Sequence, residues 1–199
     1  MQNIDLNDRF SKYFITPDYS LFSDSLYFRE IEAVLKSNVK ILQFRSKNTD
    51  PKKINKISNR VYKISSNYEC LYIINSFHLD VIEHEISGIH LTSKDLRKEP
   101  FTRQKNLIYG ASCHNKEEII ISNELKMDYI TLSPVYDTNK KKGIGWENFK
   151  ILAKDSQSPV YALGGINHHK ELKRVRDNNG FGVAAISSYL NSDLKNTGI

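Results

Sequence analysis

The sequence predicts an α/β fold built from about eight repeats of a strand followed by a helix. Three observations carry this. Short runs of β-branched and aromatic residues alternate along the chain with segments whose apolar residues recur at helical spacing. Polar and charged residues gather directly after the strand runs. No domain boundary or low-complexity tract interrupts the 199 residues before a polar tail after Leu190, and one core fits that length. The alternation is compatible with a closed (β/α)8 barrel and equally with a doubly wound open sheet. For a barrel the chain is short, which implies tight connections and short helices.

The elements follow in order. Tyr13-Phe14-Ile15-Thr16 reads as a first strand ended by Pro17, and 24–36 carries Leu26, Ile31, Val34 and Leu35 at helical spacing. The second strand opens at Val39. Asp50 suits an N-cap and Pro51 a first turn, before a stripe of Ile54, Ile57, Val61 and Ile64 that marks the clearest amphipathic helix. Residues 70–75 read as a third strand, 77–84 as a short helix and 88–91 as a fourth strand. The polar segment 93–105 reads as loop with at most a turn of helix, and whether it covers a ligand stays open. After a fifth strand at 106–112, Asn115 with Glu118 three residues on forms a capping-box variant for a helix reaching Leu125. The remainder reads as strand 129–135, helix 146–153, strand 160–163 entering Gly164-Gly165-Ile166, helix 169–177 and strand 183–186. Residues 1–11 and 191–199 read as peripheral tails.

Composition narrows the function. The net charge of +6 comes largely from lysines on helix faces such as 50–68, which solvation explains, so no nucleic-acid partner is called for. No run reaches the roughly 18 apolar residues of a membrane span, and the polar N-terminus lacks a signal-peptide core. The cytoplasm is the expected compartment. Cys70 and Cys113 each lie inside a strand run, which predicts buried free thiols and not a disulfide or metal pair.

Chemistry in a barrel belongs at the carboxyl ends of the strands. In the stretch 39–47, alternation puts Gln43, Arg45 and Lys47 on one face at such an end. An amide, a planar fork of donors and a mobile ammonium suit a phosphate or pyrophosphate; the plain alternative is a solvated strand end. Asn75 and Ser76 follow the third strand, His90, Thr92 and Asp95 the fourth, and Ser112 and His114 the fifth. Ser133, Thr138, Lys140 and Lys141 follow the sixth, Gly164 and Gly165 the seventh, Ser187 and Ser188 the eighth. Polar residues at one end of every strand favour a shared site. Individually, His90 reads first as a packing or orienting group, and His114 equally as a loop contact or an acid/base. The pair His168-His169 reads as exposed helix start, the three lysines 140–142 as a solvated loop, and Trp146, Tyr136 and Phe44 as packing residues.

Six motifs in order resemble the thiamine-phosphate synthase superfamily, which also contains the TenI-type thiazole tautomerases. They are Gln43-Phe44-Arg45-Ser46-Lys47, Ile74-Asn75, His90-Leu91 with Asp95, Ser112-Cys113-His114, Ser133-Pro134-Val135-Tyr136-Asp137-Thr138 and Ala162-Leu163-Gly164-Gly165-Ile166. The resemblance implies a single TIM barrel. It further implies a synthase that joins hydroxymethylpyrimidine diphosphate to a thiazole phosphate with release of pyrophosphate. In that reaction Arg45, Lys47, Asn75 and Lys141 would surround the diphosphate, with Mg2+ bridging its oxygens and Asp95 as metal ligand. Gln43 and Ser112 would lie near the pyrimidine and diphosphate, and His90 is carried with them as a binding residue. Gly164, Gly165, Ser187 and Ser188 would offer backbone N–H groups to the thiazole phosphate, with Thr138 adding a hydroxyl.

The chain departs from the family pattern at three places. Ser76 stands where the pattern has a second metal carboxylate, and Ser133 and Thr92 stand where it has glycine. These changes favour the sister activity, in which a thiazole phosphate carboxylate is aromatised by proton transfer with no metal and His114 as acid/base. Gln43, Lys47, Asp95 and Lys141 favour the synthase. A binder of thiazole phosphate or thiamine phosphate without turnover is a third reading. Each reading has small-molecule phosphates as partners, no nucleic acid and no membrane, and each is compatible with a homo-oligomer.

Overall fold

The computed structural model describes residues 8–98, 101–139 and 141–190. Eight parallel strands pair in sequence order and close on themselves: β1 (Lys12–Ile15), β2 (Ile41–Phe44), β3 (Leu71–Asn75), β4 (Gly88–Leu91), β5 (Ile108–Cys113), β6 (Tyr129–Leu132), β7 (Val160–Ala162) and β8 (Gly182–Ala185). Closure is made by β8 on β1, with Tyr13 opposite Ala184 and Phe14 opposite Ala185. This is the (β/α)8 barrel, and the open sheet is excluded. The helices are α1 (Asp24–Lys36), α2 (Pro51–Ser66), α3 (Ser93–Leu96), α4 (Lys116–Glu124), α5 (Gly145–Asp155) and α6 (Leu172–Asp177).

Period-two alternation divides each strand between lumen and helical jacket. Tyr13, Ile15, Ile41, Ile73, Tyr129, Tyr161 and Ala184 pack together inside the barrel. Their neighbours Phe14, Leu42, Phe44, Tyr72 and Ile74 point out against α1 and α2 residues such as Ile31, Leu35, Ile54, Ile57 and Val61. Each such fully buried aliphatic side chain contributes about 1.5–3 kcal/mol relative to exposure. Three lumen tyrosines meet edge to face, Tyr13 with Tyr161 at 5.3 Å, Tyr13 with Tyr129 at 5.5 Å and Tyr129 with Tyr161 at 5.6 Å between centroids. Gly110 makes room for them, since a Cβ there would lie 2.0 Å from the Tyr129 ring.

Local chemistry explains the element boundaries. The Asp50 side chain accepts from the Lys52 N–H ahead of α2, and the Asn115 side chain accepts from the Glu118 N–H ahead of α4. Strand β6 stops at Leu132 and not Val135, because Pro134 has no N–H for the ladder. The expected helix over 77–84 is a 3-10 turn, Ser76–Val81; the Asn75 side chain caps it, and Ser87 is bonded back to Tyr72 too soon for a full helix. α6 begins three residues later than 169, because Lys170 and Glu171 donate to the Asn167 carbonyl in a separate turn. That turn corrects the reading of His168, which is 5 % exposed and stacked on Tyr189. Residues 8–11 are no loose tail: Val183 donates to the Ser11 carbonyl and Tyr161 to the Phe10 carbonyl, closing the amino-terminal end of the barrel. The remaining tail residues, 1–7 and 191–199, lie outside the described residues, as do two residues of 93–105 and Lys140. Cys70 and Cys113 are buried free thiols, and burial pushes both up to about 12.

Candidate active site

The described site residues read from the sequence stand at the carboxyl ends of strands or on the loops that follow them, so they share one rim of one closed barrel. They divide by depth. Gln43, Asn75 and His90 are buried in the lumen, Arg45, Ser112 and His114 are partly exposed, and Lys47, Thr138 and Lys141 lie on exposed loops.

The lumen residues form a continuous chain. Asn75 Nδ2 donates to Gln43 Oε1 at 2.8 Å, and Gln43 Nε2 donates to the Tyr13 hydroxyl at 2.6 Å. Tyr13 and Tyr129 hydroxyls are 2.9 Å apart, Tyr129 lies 3.2 Å from His90 Nδ1, and His90 Nε2 lies 2.9 Å from Ser112 Oγ. Burial, followed by the Arg45 charge, lowers the His90 pKa to about 3, so the ring is neutral at pH 7. Next to Ser112, across the β5 to β6 pairing, the Thr131 hydroxyl is fully buried with no partner among the described residues.

Arg45 is held by its backbone. Its N–H donates to the Thr16 hydroxyl, which donates back to the Arg45 carbonyl. Its guanidinium makes no hydrogen bond or ion pair with the described residues; burial lowers its pKa while the Asp18 charge raises it. A half-buried, unspent fork of donors is what an oxyanion needs. Asp18 organises the loop beneath by accepting from Asn48 N–H, Ser20, Ser46 and Thr49. His78 accepts from the Ser46 N–H at 3.0 Å, and burial, then Arg45, lower its pKa to about 4. Strict alternation does not reach Lys47: the strand ends at Phe44, and the Lys47 ammonium lies 5.3 Å over the Phe77 ring.

A second set of donors lies on the opposite flank of β1. The N–H groups of Gly164, Gly165, Ser187 and Ser188 donate to no described residue. Gly164 and Gly165 have φ of +96° and +71°, and a Cβ on Gly164 would lie 2.5 Å from Pro134, so the turn depends on glycine. His168 Nδ1, 2.9 Å from Ser188 Oγ, ties this turn to the one after β8. Thr138 and Lys141 close a loop on each other, the Thr138 hydroxyl donating to the Lys141 carbonyl. His114 Nδ1 is 2.6 Å from the Ser133 carbonyl, to which it donates, leaving Nε2 as the acceptor nitrogen.

Asp95 holds a cation. Its Oδ2 accepts from the hydroxyls of Ser76 at 2.6 Å and Thr92 at 2.7 Å, and the Lys98 ammonium lies 2.6 Å from Oδ1. Burial would raise the carboxyl, but Lys98, Ser76 and Thr92 outweigh it and hold it down at about 2. Among the described residues no three His, Cys, Asp or Glu side chains cluster as metal ligands.

Sequence reading missed Thr16, Asp18, His78, Lys98 and two of the three lumen tyrosines, Tyr13 and Tyr129. Thr16-Pro17-Asp18 follows the first strand, and the rule that selected Gln43 and Arg45 selects it too. Tyr13 and Tyr129 carry the signal of lumen-facing core, and only three-dimensional proximity gives their hydroxyls partners.

The thiamine monophosphate synthase family model matches residues 12–189. The chain belongs to that family. It is 30 % identical over 190 residues to the thiamine-phosphate synthase of Methanococcus maripaludis strain C6, covering 92 % of this chain and 88 % of the relative. It is 33 % identical over 171 residues to that of Fusobacterium nucleatum, covering 82 % and 81 %. The fold matches thiamine phosphate pyrophosphorylase from Pyrococcus furiosus with a TM-score of 0.73 at 22 % identity, over 98 % of this chain and 94 % of that one. Among the described residues no helix is long and apolar enough to cross a membrane.

Proposed function

We propose that this protein is a thiamine-phosphate synthase, a transferase that joins hydroxymethylpyrimidine diphosphate to thiazole phosphate. The observation that carries the reading is a rim with two separate sets of unspent donors, the Arg45 guanidinium beyond β2 and four backbone N–H groups beyond β7 and β8. Two anionic substrates need two such receptacles. The bond between the pyrimidine methylene carbon and the diphosphate oxygen breaks, its electron pair leaving with pyrophosphate. The thiazole nitrogen then forms the new C–N bond to the pyrimidine cation. Arg45, Lys47 and Lys141 oppose the charge growing on the leaving group, and their value rises with distance from bulk water. Asn75, Gln43, His90 and Ser112 form the floor that receives the pyrimidine and the near end of its diphosphate. Gly164, Gly165, Ser187 and Ser188 hold the thiazole phosphate, with Thr138 and Lys141 on the loop above.

Mg2+ fits as a partner of the diphosphate. When bound it would neutralise phosphate oxygens, and Asp95 would hold it, since one carboxylate plus substrate phosphates is a common Mg2+ ligand set. The Lys98 ammonium now occupies that carboxylate. One assay tests the reading: the protein with both substrates and Mg2+, followed for thiamine phosphate and pyrophosphate. Product supports the synthase. Aromatisation of the thiazole carboxylate isomer without metal would replace it with the tautomerase, for which His114 Nε2 is the proton acceptor; tight binding without either product would leave a binder. Cytoplasmic residence belongs to the same proposal.

A further inference from the structure

The hydrogen-bond chain across the lumen has a direction, set from outside it. The Phe77 N–H donates to Asn75 Oδ1, so Asn75 must present its amide N–H2 to Gln43 Oε1. Gln43 then presents its own N–H2 to the Tyr13 oxygen, and Tyr13 has its hydrogen left for Tyr129. Tyr129 is 2 % exposed, and its remaining partner is His90 Nδ1. If His90 carried its proton on Nδ1, Tyr129 would face two donors and its own O–H would be buried without an acceptor, an arrangement folded proteins avoid. With Nδ1 as acceptor every group is satisfied: His90 Nε2–H donates to Ser112 Oγ, and the Ser112 hydrogen is free to point elsewhere.

We propose that Tyr129 is a positioning residue that locks His90 as the neutral Nε2–H tautomer and thereby turns the Ser112 hydroxyl outward as a donor to the anionic substrate at the barrel mouth. This rests on the synthase reading for the identity of the anion, and on geometry alone for the tautomer. Burial and the Arg45 charge disfavour the imidazolium, so the relay stays in one state at neutral pH. The Thr131 hydroxyl, buried and unpartnered beside Ser112, marks the same end of the chain as a place where a further polar group is received.

The test is nitrogen NMR of histidine-labelled whole protein, which reports protonation at each ring nitrogen. His90, assigned by its loss in His90→Gln, is expected to be neutral with the proton on Nε2 from pH 5 to pH 8. A proton on Nδ1, or an imidazolium in that range, overturns the proposal in the wild-type protein, whether or not the protein makes product. In Tyr129→Phe the lock is gone and a mixture of tautomers is expected, whereas Tyr13→Phe keeps the Tyr129 to His90 bond and the Nε2–H form. Tyr129→Phe should also lower kcat by about 10- to 100-fold, the range for losing a group that orients a functional side chain, with KM for both substrates unchanged. An unchanged tautomer, or a loss in KM alone, would refute the role. Absence of product from the wild type would count against the synthase reading and leave the tautomer result standing.

Discussion

Arg45 combines three properties rarely found in a surface arginine: a clamped backbone, a half-buried guanidinium and no ion-pair partner among the described residues. Arg45→Gln is expected to reduce kcat about 10²–10³-fold in the thiamine phosphate assay, the range for losing one preorganised donor from a developing negative charge. His78 and His90 predict the acid response. Their folded pKa values of about 4 and about 3 lie below the ordinary 6.5, so between those limits the unfolded chain binds more protons. The stability they contribute is present above pH 6.5 and is lost as pH falls toward 4 and 3; Asp95, held at about 2 against an ordinary 3.8, adds a second loss below pH 4. Thermal unfolding followed from pH 7 to pH 3 should show Tm falling first through the histidine window, and His78→Gln should flatten that slope. Under the proposed reading, the Lys98 ammonium would compete with Mg2+ at Asp95. Ser76→Asp should lower the Mg2+ concentration for half-maximal activity, and no response in a metal titration would argue against metal chemistry at that position.

Elements hold these side chains through caps and close approaches. Asp50→Ala removes the acceptor for the Lys52 N–H and is expected to cost about 1 kcal/mol in urea unfolding, with little change in activity because α2 supports the rim only from outside. Gly110→Ala acts differently. Its Cβ would lie 2.0 Å from the Tyr129 ring, and overpacking of this kind costs at least about 1–3 kcal/mol. Any folded protein recovered should have a displaced Tyr129 and a disturbed His90 tautomer, visible in the same nitrogen spectra. The turn after β7 joins both themes: positive φ and contact with Pro134 demand Gly164, and its unspent N–H is the consequence. Gly164→Ala should therefore weaken thiazole phosphate binding and stability together.

At the scale of the whole molecule, closing β8 on β1 brings the turns after β7 and β8 and the Arg45 loop to either side of β1. Inorganic pyrophosphate and thiazole phosphate should each raise Tm, and their combined shift should exceed either alone. Mass action predicts about 2.7 kcal/mol at a ligand concentration 100 times Kd. The amino-acid order by itself determined the alternation of strands and helices, the caps at Asp50 and Asn115, and the polar residue at each strand end. All of these are local: period, propensity and capping act over a few residues. Tertiary structure alone decided that the sheet is closed, that His168 is buried, and that Tyr13 and Tyr129 link Gln43 to His90. Those contacts join residues far apart in the chain. Their partners are set by strand order and register around the barrel, which no local pattern encodes.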